Sequence, residues 1–228
     1  MKTKRVLVAG LFVCFCMAAV RADTVISKVI PASGTLSGTI VSDGFAIDVD
    51  AAAVIQTGAY DCTLDALGFS FFGGVSRSTS SFTFSASLYA VGGDNLPSGS
   101  GLAMQTNLAA DLGSTANLAF GSFLYDSSDI AALTNVVLSA NTKYAIVLNS
   151  DDADKYLWAY DTGDFTFSDG FSYIGSANSI DGGAWSGGSN RQGLVVGVTE
   201  VIPEPATALI LSLGGGLIGL YRRFFGRV

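Results

Sequence analysis

The chain contains no histidine. That absence removes a Ser-His-Asp triad, a Cys-His pair and a histidine-ligated zinc site together. Glycines separate candidate strands instead of joining a strand to a helix, so no phosphate-cradling loop is present. A glycosidase-like carboxylate pair is the remaining route to catalysis. Glu200 is the one glutamate before the tail, and the other acids are aspartates of the kind loops favour. No catalytic residue is assigned. Two arrangements could bind a ligand. Asp151, Asp152 and Asp154, with Asp161, Asp164 and Asp169 further on, could supply oxygen ligands to calcium. Their spacing lacks the glycine and terminal glutamate of a calcium loop, and a solvated acidic loop is the default. Trp158, Tyr160 and Trp185 could form an apolar platform for sugar rings, although such aromatics more often fill a sandwich core. No other metal or cofactor is implied.

Alternating patterns show what must position these residues. Leu67, Phe69 and Phe71 alternate with Gly68, Ser70 and Phe72, and Phe82, Phe84, Ala86 and Leu88 alternate with Thr83, Ser85, Ser87 and Tyr89. Both read as half-buried strands of period two. Residues 142–148 are apolar on both faces after Lys143, which predicts a central strand. Further strands are expected at 24–30, 45–49, 54–56, 117–120, 156–160, 171–174 and 194–199. Glycine clusters at 73–74, 92–97, 181–183 and 186–190 separate them. A short helix is expected at 127–133, capped by Ser127 or Ser128. The pattern implies an all-β fold, a single antiparallel β-sandwich of jelly-roll type over residues 23–200.

Charge divides the chain differently. It holds 12 basic and 19 acidic residues, and every acid lies between Asp23 and Glu204. Only Lys28, Arg77, Lys143, Lys155 and Arg191 are basic there, so 5 basic against 19 acidic residues leaves −14. Such a surface argues against nucleic acid or anionic lipid as a partner. The amino terminus runs from Lys2, Lys4 and Arg5 into an apolar stretch at 6–20, with Val20 and Ala22 at the −3 and −1 positions. This is the pattern of a signal peptide, residues 1–22, cut after Ala22 by signal peptidase once the export translocase has engaged it. Cys14 and Cys16 leave with it. Cys62 is then alone, no intrachain disulfide is possible in the mature chain, and a buried thiol is the default.

The last segment, 201–228, has three parts in order. Pro203-Glu204-Pro205 comes first, then an uncharged stretch at 206–221, then Arg222, Arg223 and Arg227. As a helix, the stretch extends about 24 Å at roughly 1.5 Å per residue. The flanking tyrosine and arginines can reach the interface and make up the shortfall against a ~30 Å hydrocarbon core. The arginines predict a cytoplasmic end, which leaves the acidic domain outside. The two prolines hold the chain extended before the helix begins.

This tail resembles the PEP-CTERM sorting signal of Gram-negative bacteria that secrete exopolysaccharide. The resemblance implies recognition by exosortase, a membrane-embedded cysteine protease, and transfer from the inner membrane to the cell surface or matrix. The middle resembles choice-of-anchor domains, the R type most closely. The matching residues are Ser87-Leu88-Tyr89-Ala90, the loop Asn95-Leu96-Pro97-Ser98-Gly99, Leu138-Ser139-Ala140-Asn141-Thr142-Lys143-Tyr144 and Tyr156-Leu157-Trp158. That family often has tryptophan after the tyrosine of the third segment, where this chain has Ala145. Two functions are therefore expected: a non-catalytic surface or extracellular-matrix protein, or a carbohydrate-binding module that retains exopolysaccharide. The exposure of Trp158 and Trp185 separates them.

Overall fold

A computed structural model describes residues 23–29, 37–41, 49–73, 79–116, 119–150, 156–161 and 163–201. It is 66% strand and 3% helix, with antiparallel sheets, as the alternating patterns require. In chain order the elements are β1 (Asp23–Ser27), β2 (Ser37–Val41), β3 (Val49–Gln56), β4 (Cys62–Gly73), β5 (Ser81–Val91), β6 (Pro97–Asp111) and β7 (Phe120–Asp126). They continue as α1 (Ala131–Thr134), β8 (Val137–Leu138), β9 (Lys143–Ser150), β10 (Tyr156–Asp161), β11 (Thr166–Phe167), β12 (Ser172–Ile180), β13 (Ser186–Gly188), β14 (Arg191–Gln192) and β15 (Leu194–Glu200).

The strands form two sheets. One follows β11-β1-β15-β4-β10-β14, with β2 paired to β10 and with β7 and β8 paired to β4. The other follows β13-β12-β3-β9-β5-β6. The main core joins inward residues of both: Leu67, Phe69 and Phe71 of β4 meet Phe82, Phe84 and Leu88 of β5. Phe82 stacks on Tyr156 at 4.2 Å, and Phe71 meets Phe84 edge-on at 5.1 Å. These are the offset and edge-to-face geometries that ring quadrupoles favour. A bulge in the β4–β15 pairing, where Ala66 faces Gly197 and Leu64 faces Val198, lets Leu64 and Leu67 both point inward despite their odd spacing.

β9 lies between β3 and β5, the central place its two apolar faces predict. Tyr144, Ile146 and Leu148 enter the main core, while Ala145 and Val147 join Ala52 and Val54 of β3 on the opposite face. That outer face is covered by Tyr89, Val91, Leu96, Ile174 and Trp185. Leu96 arrives on the turn after β5, where Asn95 adopts φ 63° and its side chain accepts a 2.7 Å hydrogen bond from Lys143.

Several expectations need correction. The helix spans 131–134 with Ile130 before it, and no side chain caps it. Ser128 gives its backbone N–H and its hydroxyl to Asp126 instead, at 2.8 and 2.6 Å, and that local turn takes the place of a cap. β7 occupies 120–126 where a strand was expected to end at 120, and β6 was not foreseen. Part of the 186–190 turn cluster is strand β13. The strand expected at 45–49 falls mostly outside the described residues. Among the described residues, no helix is long and apolar enough to cross a membrane. The stretch at 206–221 lies outside them.

Candidate functional site

The chain passes from β11 of the first sheet to β12 of the second through residues 168–171. A cleft of about 280 Å³ opens there, lined by Asp164, Phe165, Phe167, Tyr173, Ser189 and Arg191 among others. Phe165 immediately precedes β11 and Phe167 ends it, and β11 pairs with β1 through Phe167 and Ile26. Tyr173 comes from β12 and stacks on Phe165, with centroids 4.1 Å apart and planes 17° from parallel. Phe165 and Phe167 lie 6.1 Å apart.

Charged groups hold this corner. Lys28 follows β1 and is buried, its side chain 4% exposed. Its ammonium pairs with Asp161 at the end of β10, donates 2.7 Å to the Gly163 carbonyl, and lies 5.5 Å from the centre of the Phe165 ring. A buried charge demands such partners. Asp161 also accepts the Gly163 N–H at 2.7 Å, so one carboxylate holds both the loop and the cation. Arg191 donates 2.5 Å to Asp164 and 3.1 Å to the Gly163 carbonyl. The Tyr173 hydroxyl donates to the Asn190 carbonyl at 2.9 Å and contacts the Gln192 side chain. Burial is the main reason its ionisation is pushed up, so the hydroxyl stays protonated and donating.

The residues singled out from sequence are dispersed. Asp151, Asp152 and Asp154 lie outside the described residues. Of the acids expected near them, Asp161 and Asp164 each pair with a cation, and Asp169 sits in a turn at φ 51°. Among the described residues, no group of three or more His, Cys, Asp or Glu could hold a metal ion. Trp158 is 0% exposed in the main core, where it meets Phe69 edge-on and donates 2.9 Å to the Gly193 carbonyl. Tyr160 is half-buried, paired across to Gln192. Trp185 packs on the outer face of the second sheet. The two tryptophans are thus on opposite sides of that sheet and form no common platform. Cys62 is a buried free thiol, pushed up to about 11 by burial and then by Asp61. Ala22, Pro203, Glu204, Pro205, Arg222, Arg223 and Arg227 lie outside the described residues.

Sequence reasoning did not single out Lys28, Phe165, Phe167, Tyr173 or Arg191 as members of one site. The available signal was scarcity: two of the five basic residues of the acidic middle meet here. No protein-family model, curated protein or solved structure matches the chain.

Proposed function

We propose that this is an exported, non-catalytic protein of the cell surface or extracellular matrix, delivered there by its carboxy-terminal tail. One observation carries the reading: Pro203-Glu204-Pro205, an uncharged stretch and an arginine cluster stand in that order in a chain whose start has the pattern of a signal peptide. On this reading the domain crosses the inner membrane, signal peptidase cuts after Ala22, and residues 206–221 halt as a helix with Arg222, Arg223 and Arg227 in the cytoplasm. Only a helix can satisfy its own backbone in lipid. Pro203-Glu204-Pro205 then lies extended at the outer face, open to an exosortase-type protease that releases the domain outward.

Replacing Pro203-Glu204-Pro205 by three alanines tests the reading in an exosortase-containing host. Insertion should persist while processing stops, so a longer form accumulates in the inner membrane. Processing and release at the wild-type level would reduce the tail to a plain anchor.

A further inference from the structure

We propose that the cleft between β11 and β12 binds a neutral hexopyranose unit of a polysaccharide, with Phe167 as the ring it stacks on and Asp164 and Arg191 as its hydrogen-bonding pair. The binding is separate from the sorting role and uses none of Trp158, Tyr160 or Trp185.

The chemistry of the lining narrows the ligand by elimination. Arg191 stands at the wall and disfavours a cation, although aromatic rings and a carboxylate would otherwise suit one. Asp164 stands beside it and disfavours an anion, as does the net −14 of residues 23–204. Ser189 and the charged pair would be left poorly solvated by a wholly apolar guest. A neutral sugar ring meets all three conditions. Its C–H face packs on an aromatic ring, and its neighbouring hydroxyls both donate and accept, which a carboxylate beside a planar guanidinium can match.

The groups are exposed and held in place at once. Phe167 is 47% exposed, and the side chains of Asp164 and Arg191 are 95% and 41% exposed. Behind them, Phe165 is fixed between the Tyr173 ring and the Lys28 ammonium. Tyr173 is tethered through its hydroxyl, and Arg191 is aimed by the Gly163 carbonyl. A site whose rotamers are already set loses less entropy on binding. The volume of about 280 Å³ suits a single ring, below the usual ~300–1,000 Å³ of drug-sized pockets.

The test is native affinity electrophoresis of the full-length protein, kept in a detergent without sugar, through gels containing soluble glucan, mannan or galactan, with polygalacturonate as the anionic comparison. At least one neutral polymer should retard the wild type. Phe167→Ala should weaken that retardation about fivefold or more, while Phe167→Tyr stays within about twofold. Asp164→Asn, at an exposed position, should fold normally and weaken retardation about threefold, and it decides the matter if Phe167→Ala does not fold. The alanine triple mutant of the tail should be retarded like wild type, so failure of sorting and failure of binding are read separately. Migration unaffected by all three neutral polymers, retardation by polygalacturonate alone, or wild-type retardation of Phe167→Ala or Asp164→Asn would overturn the proposal.

Discussion

The Lys28–Asp161 pair should respond asymmetrically to loss of either partner. Lys28 is almost wholly buried, whereas the Asp161 side chain is 36% exposed. Asp161→Asn keeps an acceptor for the Gly163 N–H but leaves a buried ammonium with only the Gly163 carbonyl, a neutral amide and the Phe165 ring. Breaking a buried pair typically costs about 3–5 kcal/mol, and those remaining partners bring the expected cost to about 2–3 kcal/mol. Lys28→Met keeps an unbranched apolar stem and removes the buried charge. The carboxylate it leaves reaches water and still accepts from Gly163, so the expected loss is about 1 kcal/mol. The double variant should resemble Lys28→Met alone, which gives a coupling of about 2–3 kcal/mol. Urea unfolding of the mature protein, followed by the fluorescence of buried Trp158, measures all four forms at a common slope. A Lys28→Met variant as unstable as Asp161→Asn, or additive losses in the double variant, would refute the claim that burial of the ammonium sets the energetics.

Other outcomes follow from single positions. Gly58→Ala places a Cβ 1.9 Å from the Asp169 carbonyl oxygen, and because backbone must move, stability should fall by about 2 kcal/mol or more; an unchanged melting temperature argues against that packing. Trp158→Phe deletes the indole hydrogen bond to Gly193, whose carbonyl keeps the Ser70 N–H at 3.1 Å, so a loss of about 1–2 kcal/mol is expected from equilibrium unfolding. Cys62, raised to about 11, should resist iodoacetamide at pH 8 in the folded protein and react once urea exposes it; rapid labelling of the native form by mass spectrometry contradicts this. Replacing Leu211 and Leu213 by Asp should block insertion of the tail, at about 2.5–3.5 kcal/mol for each charge, and fractionation should then find the protein in the periplasm.

What could be read from sequence was the part where packing imposes a strict period. β4, β5 and β9 carry aromatic and branched residues at every second position because one or both faces are sealed. β6 escaped notice because it edges its sheet and bulges between Ser98 and Ala103 and again between Gln105 and Leu108. Asn107 takes φ 58° at the second bulge, the strand opens on Ser98-Gly99-Ser100-Gly101 with no apolar alternation, and the Leu102 and Met104 that follow are exposed. The helix cap was misplaced because Asp126 competes for Ser128, a contest that composition does not rank. The cleft was hidden for another reason. Asp161 and Asp164 look like members of an acidic run until the fold brings Lys28 from 133 positions away and Arg191 from 27 away. Trp158, by contrast, offered a platform as the sharper reading and a core as the default one, and its burial agrees with the default.

β15 is gripped along both edges, by β1 on one side and β4 on the other. The chain leaves it at Glu200, and the next residue, Val201, donates its N–H to the Asp61 carbonyl at 2.9 Å. Consider a pull applied at Val201 along the strand axis. The load is then carried in shear by two ladders at once, whose hydrogen bonds lie across the direction of force, and none can be peeled open singly from a free edge. Survival under such a load depends on the rate of forced unfolding and not on equilibrium stability. A domain still joined to its tail would therefore hang from its own last strand, and drag on it before any cleavage at Pro203-Glu204-Pro205 would have to slide β15 lengthwise past both neighbours.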